Sequence, residues 1–181
     1  RSYFTYMAAD ERALVRRQSK GLTSFGSEAL DEMARLGLVC DLAHANDNAF
    51  CEAIGHGKVK VCVTHGNCHA LCPHMRNLTD EMLKALAARN GVIGICFFRF
   101  FIDREKPTLD RLADHFIHAL EIMGPDHVGI GTDFDGLPSN VLPMIEDAAG
   151  LGALWEKLES RGVRPCVLKK IGMDNFLRLL D

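Results

Sequence analysis

No apolar run in this 181-residue chain is long enough to cross a bilayer. The longest are about eight residues, against the roughly 20 that a transmembrane helix needs. An excess of basic residues is also missing: 21 Lys and Arg face 24 Asp and Glu, for a net charge of −3. No overall basic field therefore points to nucleic acid or an anionic membrane surface. Residues 1–10 lack the basic-then-apolar pattern of a signal peptide. No hydrophobic tail follows Leu179 and Leu180 to act as a lipid-anchor signal. The chain opens on Arg1 rather than Met and reads as processed or truncated at its start. No repeat, linker or low-complexity stretch divides it. At about 150 residues per domain, a single domain over 1–181 is expected, with 1–20 an N-terminal extension or truncated loop.

What is present is the composition of an ordinary folded protein, 48% hydrophobic and 25% charged, which rules out a disordered or fibrous chain. Seven cysteines cannot all pair within one chain. Cys40, Cys62 and Cys96 lie inside apolar runs, where a thiol behaves as a small hydrophobe. The set reads as reduced cysteines in a cytoplasmic protein.

Short runs rich in Val and Ile read as buried strands: Leu38–His44, Val59–His65, Gly91–Phe98 and His127–Phe134. None alternates cleanly with polar residues, which suggests a parallel sheet covered on both faces. Segments of helical period separate them. Ser27–Leu36 is one, stopped by Gly37, and Asp47–Ile54 is a second. Thr79–Arg89 and Thr108–Met123 each start on an N-cap Thr. Ala148–Ser160 and Cys166–Leu180 close the chain, and 99–107 and 135–147 are loops. Repeated βα units mean an α/β fold with a parallel sheet. Four strands suit a small open sheet or half of a (β/α)8 barrel, since the complete barrel takes eight.

Three of the four strands end in chemistry. The first ends in His44, the second in His65, the fourth in Asp133 with Asp135 two residues on. Parallel α/β folds gather their strand C-termini on one functional face. Two imidazoles and a carboxylate converging there suit Zn²⁺, with a position left for water. The dense run Cys62, His65, Cys68, His69, Cys72 and His74 lacks the usual C-x₂-C spacing, so a separate structural zinc is not favoured. His115 and His118 are expected on the surface of the long helix. Phe97 and Phe98 read as core, and Phe100 or Phe101 as a pocket wall. Gly129 and Gly131 leave room for close packing around the fourth strand. Phe134 stands where a dinucleotide fingerprint needs its third glycine.

At these residues the sequence resembles the renal or membrane dipeptidase family of zinc peptidases. The matching stretches are Gly21–Gly26, Met33–His44, Val63–Glu81, Asn90–Phe98, His127–Pro138 and Asn175–Leu180, in family order. The resemblance implies a (β/α)8 TIM-type barrel with two bridged zinc ions, hydrolysing dipeptides through a metal-activated water. It makes His44 and His65 the two histidines of the second zinc. Arg76 becomes the substrate-holding arginine, and Asp133 the acid beside the zinc-bridging water. The family's H-x-D pair, bridging Glu and a further substrate-contacting His lie upstream of what matches Gly21. Residues 1–20 offer no histidine. The chain is therefore expected to supply four parallel strands with helices, about the C-terminal half of the barrel.

Expected partners are a dipeptide and the missing N-terminal half, with a homodimer also admitted. No nucleic acid or membrane is expected. Two other readings remain open: a non-catalytic half-barrel remnant serving assembly or binding, and a related amidohydrolase acting on a lactam or cyclic amide.

Overall fold

A computed structural model describes residues 20–136 and 143–181. The extension expected over 1–20 thus lies, apart from Lys20, outside the described residues, as do 137–142 of the loop after the fourth strand. Four strands, β1 (Val39–Asp41), β2 (Lys60–Gly66), β3 (Val92–Ile95) and β4 (Val128–Ile130), pair in parallel in the order β1-β2-β3-β4. β1, β3 and β4 are shorter than the apolar runs that encode them, whereas β2 keeps seven residues, shifted by one. Every crossover steps the same way, so right-handed connections stack their helices on one face. That is how a barrel wall is wound. A doubly wound sheet would instead reverse its strand order.

Side-chain alternation sorts the strands into two surfaces. Cys40, Val61, Val63, Ile93, Ile95 and Val128 join the main core beneath the helices. Cys62 and Val92 form a second cluster with Leu179, Val39 and Phe176 on the opposite, inner face. Higher on that inner face stand Asp41 and Thr64, which are exposed.

The helices start where short polar side chains cap them. In α1 (Ser24–Arg35) the Thr23 side chain accepts from Gly26 N at 2.9 Å. The helix thus begins three residues before the expected Ser27, and the chain leaves it through Gly37 at φ +71°. Asn46 caps α2 (Asp47–His56), Thr79 caps α3 (Asp80–Ala88) and Thr108 caps α5 (Leu109–Met123). A one-turn helix α4 (Arg99–Ile102) opens the loop expected over 99–107, because buried Phe101 and Ile102 anchor it, and 103–107 stay irregular. After α6 (Leu151–Ser160) the closing helix is broken in two. A π turn, Lys170–Asp174, separates α7 (Pro165–Lys169) from α8 (Asn175–Leu180). Such an inserted residue re-aims the helix beyond it. It presents buried Asn175, which donates to the carbonyls of Pro125 and Val128 at 2.9 and 2.7 Å. Arg178 reaches the carbonyls of Asn90 and Asp126, and Lys60 Nζ that of Leu179. α8 thereby closes the N-terminal end of the sheet.

His115 corrects a surface assignment. It is fully buried, because it falls three after Leu112 and four before Ala119 on the apolar stripe of α5. Its Nδ1 accepts the Cys68 N–H at 3.1 Å and its Nε2–H donates to the Ile102 carbonyl at 2.9 Å. His118 is half-buried against Asp80, 2.8 Å away. Burial pushes the His115 pKa from 6.5 down to about 4. The unfolded chain then takes the proton first as pH falls. Stability is complete above pH 6.5 and declines toward pH 4, by on the order of 3 kcal/mol from this residue. Denaturant midpoints across that range should fall less steeply in His115→Gln. An unchanged slope would show that His115 does not carry the effect.

Candidate active site

β2 reaches the site through an irregularity. Val63 pairs with Ile93 and Gly66 with Ile95, so three steps on β2 match two on β3. One residue is extra, which makes a bulge. In regular extended chain, neighbouring Thr64 and His65 would face opposite sides of the sheet. With the bulge both reach the same side: Thr64 Oγ1 lies 3.0 Å from His65 Nδ1, and His65 Nε2 lies 2.9 Å from His44 Nε2.

His44 is not the last strand residue, since β1 ends at Asp41. It lies in the turn beyond, fixed where Asp41 Oδ1 accepts the Ala43 N–H at 3.0 Å and Ala45 N donates to the Leu42 carbonyl. Asp41 also accepts from Thr64, through N at 3.0 Å and Oγ1 at 2.6 Å. Sequence reasoning passed over both residues. The available signal was a carboxylate in the middle of the apolar run LVCDLAH.

Arg76 rides on the loop after β2, which buried polar groups hold in shape. Asn67 pairs with Cys96 through both backbone groups, at 3.1 and 3.2 Å. Asn77 Nδ2 donates to the carbonyls of Cys72 and Phe101. Arg111 holds the Leu71 carbonyl and His115 the Cys68 N–H. From this frame Arg76 Nη2 donates to the Ala43 carbonyl at 3.0 Å, beside His44. Its guanidinium carbon stands 5.4 Å from the Phe101 ring centre, a cation–π distance. Phe98 packs edge-on against Phe101 at 4.7 Å. Phe97 is core, as expected. Phe98 is only half-buried, and Phe101 rather than exposed Phe100 touches the arginine.

Asp133 stands three residues beyond β4 with φ +57°, a left-handed conformation open to Asp at modest cost. Its carboxylate packs against Gly136, where a Cβ would meet Oδ1 at 2.0 Å. The chain does not stay extended after it. Phe134–Gly136 is a 3₁₀ turn that leaves Asp135 exposed.

The charges act on one another. Burial lowers the pKa of both His44 and His65. The Arg76 cation lowers both further, and the Asp133 and Asp41 carboxylates raise both. Both imidazoles are therefore neutral at neutral pH, the form that binds a metal. Two nitrogens on one tetrahedral zinc, each at about 2.0–2.1 Å, lie about 3.3 Å apart. The observed 2.9 Å is within a small ring rotation of that value. The donors fit zinc in type. Among the described residues no three His, Cys, Asp or Glu side chains gather closely enough to hold an ion. Two imidazoles alone are fewer than the three or more protein ligands that a zinc site takes. All seven cysteines are free. The run from Cys62 to His74 is dispersed, with Cys68 on the His115 carbonyl and Cys72 on that of Phe100.

Four sequentially ordered parallel strands, with the polar groups beyond their C-terminal ends, make this about the C-terminal half of a (β/α)8 barrel. Comparison with known proteins gives the family. The profile of the membrane dipeptidases, Peptidase family M19, matches residues 3–181, and the chain belongs to that family of metallopeptidases. A dipeptidase of Claviceps purpurea, tcpJ, is 34% identical over 88% of this chain and 38% of its own length. Two solved structures superpose with a TM-score of 0.83 at 30% identity over 91% of the chain. One is a metallo peptidase from Rhodobacter sphaeroides liganded with a phosphinate mimic of the dipeptide L-Ala-D-Ala, of which 48% is covered. The other is an amidohydrolase from Pseudomonas aeruginosa, of which 58% is covered. The chain thus spans about half the length of these proteins. No helix among the described residues is long and apolar enough to cross a membrane.

Proposed function

We propose that this chain carries the second-zinc and substrate-binding half of a cytoplasmic, zinc-dependent dipeptidase site. The carrying observation is the His44–His65 pair, two neutral imidazoles whose Nε2 atoms stand 2.9 Å apart. They would hold one zinc of a two-ion site whose other ligands come from the N-terminal half of the barrel. Bound zinc would polarise the scissile carbonyl and make water nucleophilic near neutral pH. Arg76 binds the substrate's free carboxylate with charge-assisted hydrogen bonds. A fixed cation beside the reacting centre measures out a dipeptide, because a longer peptide puts its carboxylate out of reach. Asp133 orients the attacking water, takes its proton and passes it to the leaving amine.

A second reading, hydrolysis of a cyclic amide, draws on the likeness to the Pseudomonas amidohydrolase. One experiment separates the two. The full-length protein, loaded with zinc, is assayed on a dipeptide, the same dipeptide as its C-terminal amide, and a cyclic amide. The dipeptide should be preferred. Arg76→Lys keeps the charge but loses the planar fork and the tether to Ala43. It should lower kcat/KM for the dipeptide about 10- to 100-fold, and for the amide much less. Equal losses would remove Arg76 from carboxylate recognition. Turnover of the cyclic amide alone would overturn the dipeptidase reading.

A further inference from the structure

The bulge in β2 leaves three side chains in a line that the metal-ligand pair alone does not explain. Asp41 Oδ2 lies 2.6 Å from Thr64 Oγ1, Thr64 Oγ1 lies 3.0 Å from His65 Nδ1, and His65 Nε2 faces His44. Asp41 Oδ1 meanwhile accepts the backbone N–H groups of Ala43 and Thr64, both at 3.0 Å. One carboxylate therefore ties the turn that carries His44 to the bulge that carries His65.

We propose that Asp41 and Thr64 are positioning residues that hold His65 as the Nδ1–H tautomer, with its Nε2 lone pair turned to the metal position. Donor counting sets the direction of the relay. An ionised carboxylate only accepts, so the single Thr64 hydroxyl proton points to Asp41. Thr64 Oγ1 is left as the acceptor toward His65, and Nδ1 must donate. The neutral ring then has its lone pair on Nε2. Ligating histidines elsewhere gain orientation and basicity when the second ring N–H is held by an acceptor. Here the acceptor is a hydroxyl whose own proton is fixed by a carboxylate. The proposal rests on His44 and His65 being metal ligands.

Substitution separates the relay from mere packing. Thr64→Val keeps the shape and removes the hydroxyl, whereas Thr64→Ser keeps the hydroxyl. Asp41→Asn can place an N–H toward Thr64 Oγ1. The hydroxyl must then donate to His65, which forces the opposite tautomer. Zn²⁺ affinity of the full-length protein, measured by chelator competition, should fall about 10- to 100-fold in Thr64→Val and Asp41→Asn. It should stay near the parent value in Thr64→Ser. Nitrogen chemical shifts of His65 in metal-free protein should show Nδ1–H in the parent and in Thr64→Ser, and Nε2–H in Asp41→Asn. An unchanged tautomer in Asp41→Asn and Thr64→Val would overturn the relay, whatever the metal does. Equal Zn²⁺ binding by the parent and His65→Ala would instead remove the metal reading, while the tautomer measurement still decides the relay.

Discussion

Asp133→Asn in the full-length protein should keep its zinc and lose about 10²–10⁴-fold in turnover, the range for removal of a positioned proton-transfer group. The substitution is nearly isosteric, so its effect is read at the carboxylate. Asp133 is placed rather than merely exposed. Its backbone is held at φ +57° and its carbonyl accepts the Gly136 N–H at 3.2 Å. Its charge raises the pKa of both His44 and His65, so it acts on the pair that would hold the metal. Asp135, two residues on, faces solvent, and Asp135→Asn should leave turnover within about twofold, as surface substitutions usually do. Zinc content and turnover are measured on the same samples. Loss of metal in Asp133→Asn would make the residue a ligand, and near-normal turnover would remove it from the mechanism.

How much of this was legible in the sequence depends on what each signal reports. Buried parallel strands leave near-continuous apolar runs, so all four strands and their parallel sense could be read. The ends of all but β2 could not. The runs continue past the ladder, because the residues that leave the sheet toward the site, such as Ala43 and Ala45, are also apolar and covered. Hence His44 and Asp133 looked like strand ends and instead stand three residues beyond. Caps at Thr79 and Thr108 were legible because an acid follows each. Thr23 was missed because Ser24, Phe25 and Gly26 weaken the helical pattern behind it. His115 did not stand out because two histidines one turn apart also suit a solvent-facing helix, although His115 shares the buried face of Leu112, Phe116 and Ala119. The bulge in β2 has no sequence mark, so nothing suggested that the neighbours Thr64 and His65 share a side. The role of Asp41 was hidden with it, since its partner Thr64 was unremarked.

That bulge also explains Gly94 in β3 and Gly131 just past the end of β4, and they carry the largest stability effect expected here. The Thr64 carbonyl lies over the inner face of β3. A Cβ on Gly94 would sit 2.2 Å from this oxygen, and a Cβ on Gly131 would sit 2.1 Å from it and 2.7 Å from the Gly94 carbonyl. Neither glycine has a positive φ, so the requirement is space, not backbone freedom. The obstructing atoms are main chain on neighbouring strands and cannot swing aside as a side-chain end would. Gly131→Ala should therefore cost about 3 kcal/mol or more, at or beyond the upper end of ordinary overpacking. That is over a hundredfold in the folding equilibrium. Gly152→Ala is the counterpart. It lies in α6 with nothing within 4 Å of the added methyl, so it should stabilise by about 0.5–1 kcal/mol. Denaturant midpoints of the two variants should move in opposite directions. Because the clash falls on Thr64, a folded remnant of Gly131→Ala should also have displaced His65 and bind Zn²⁺ more weakly than the parent. Parent-like stability in Gly131→Ala would mean that the Thr64 carbonyl does not lie over β3, and the bulge would lose its reason for needing glycine there.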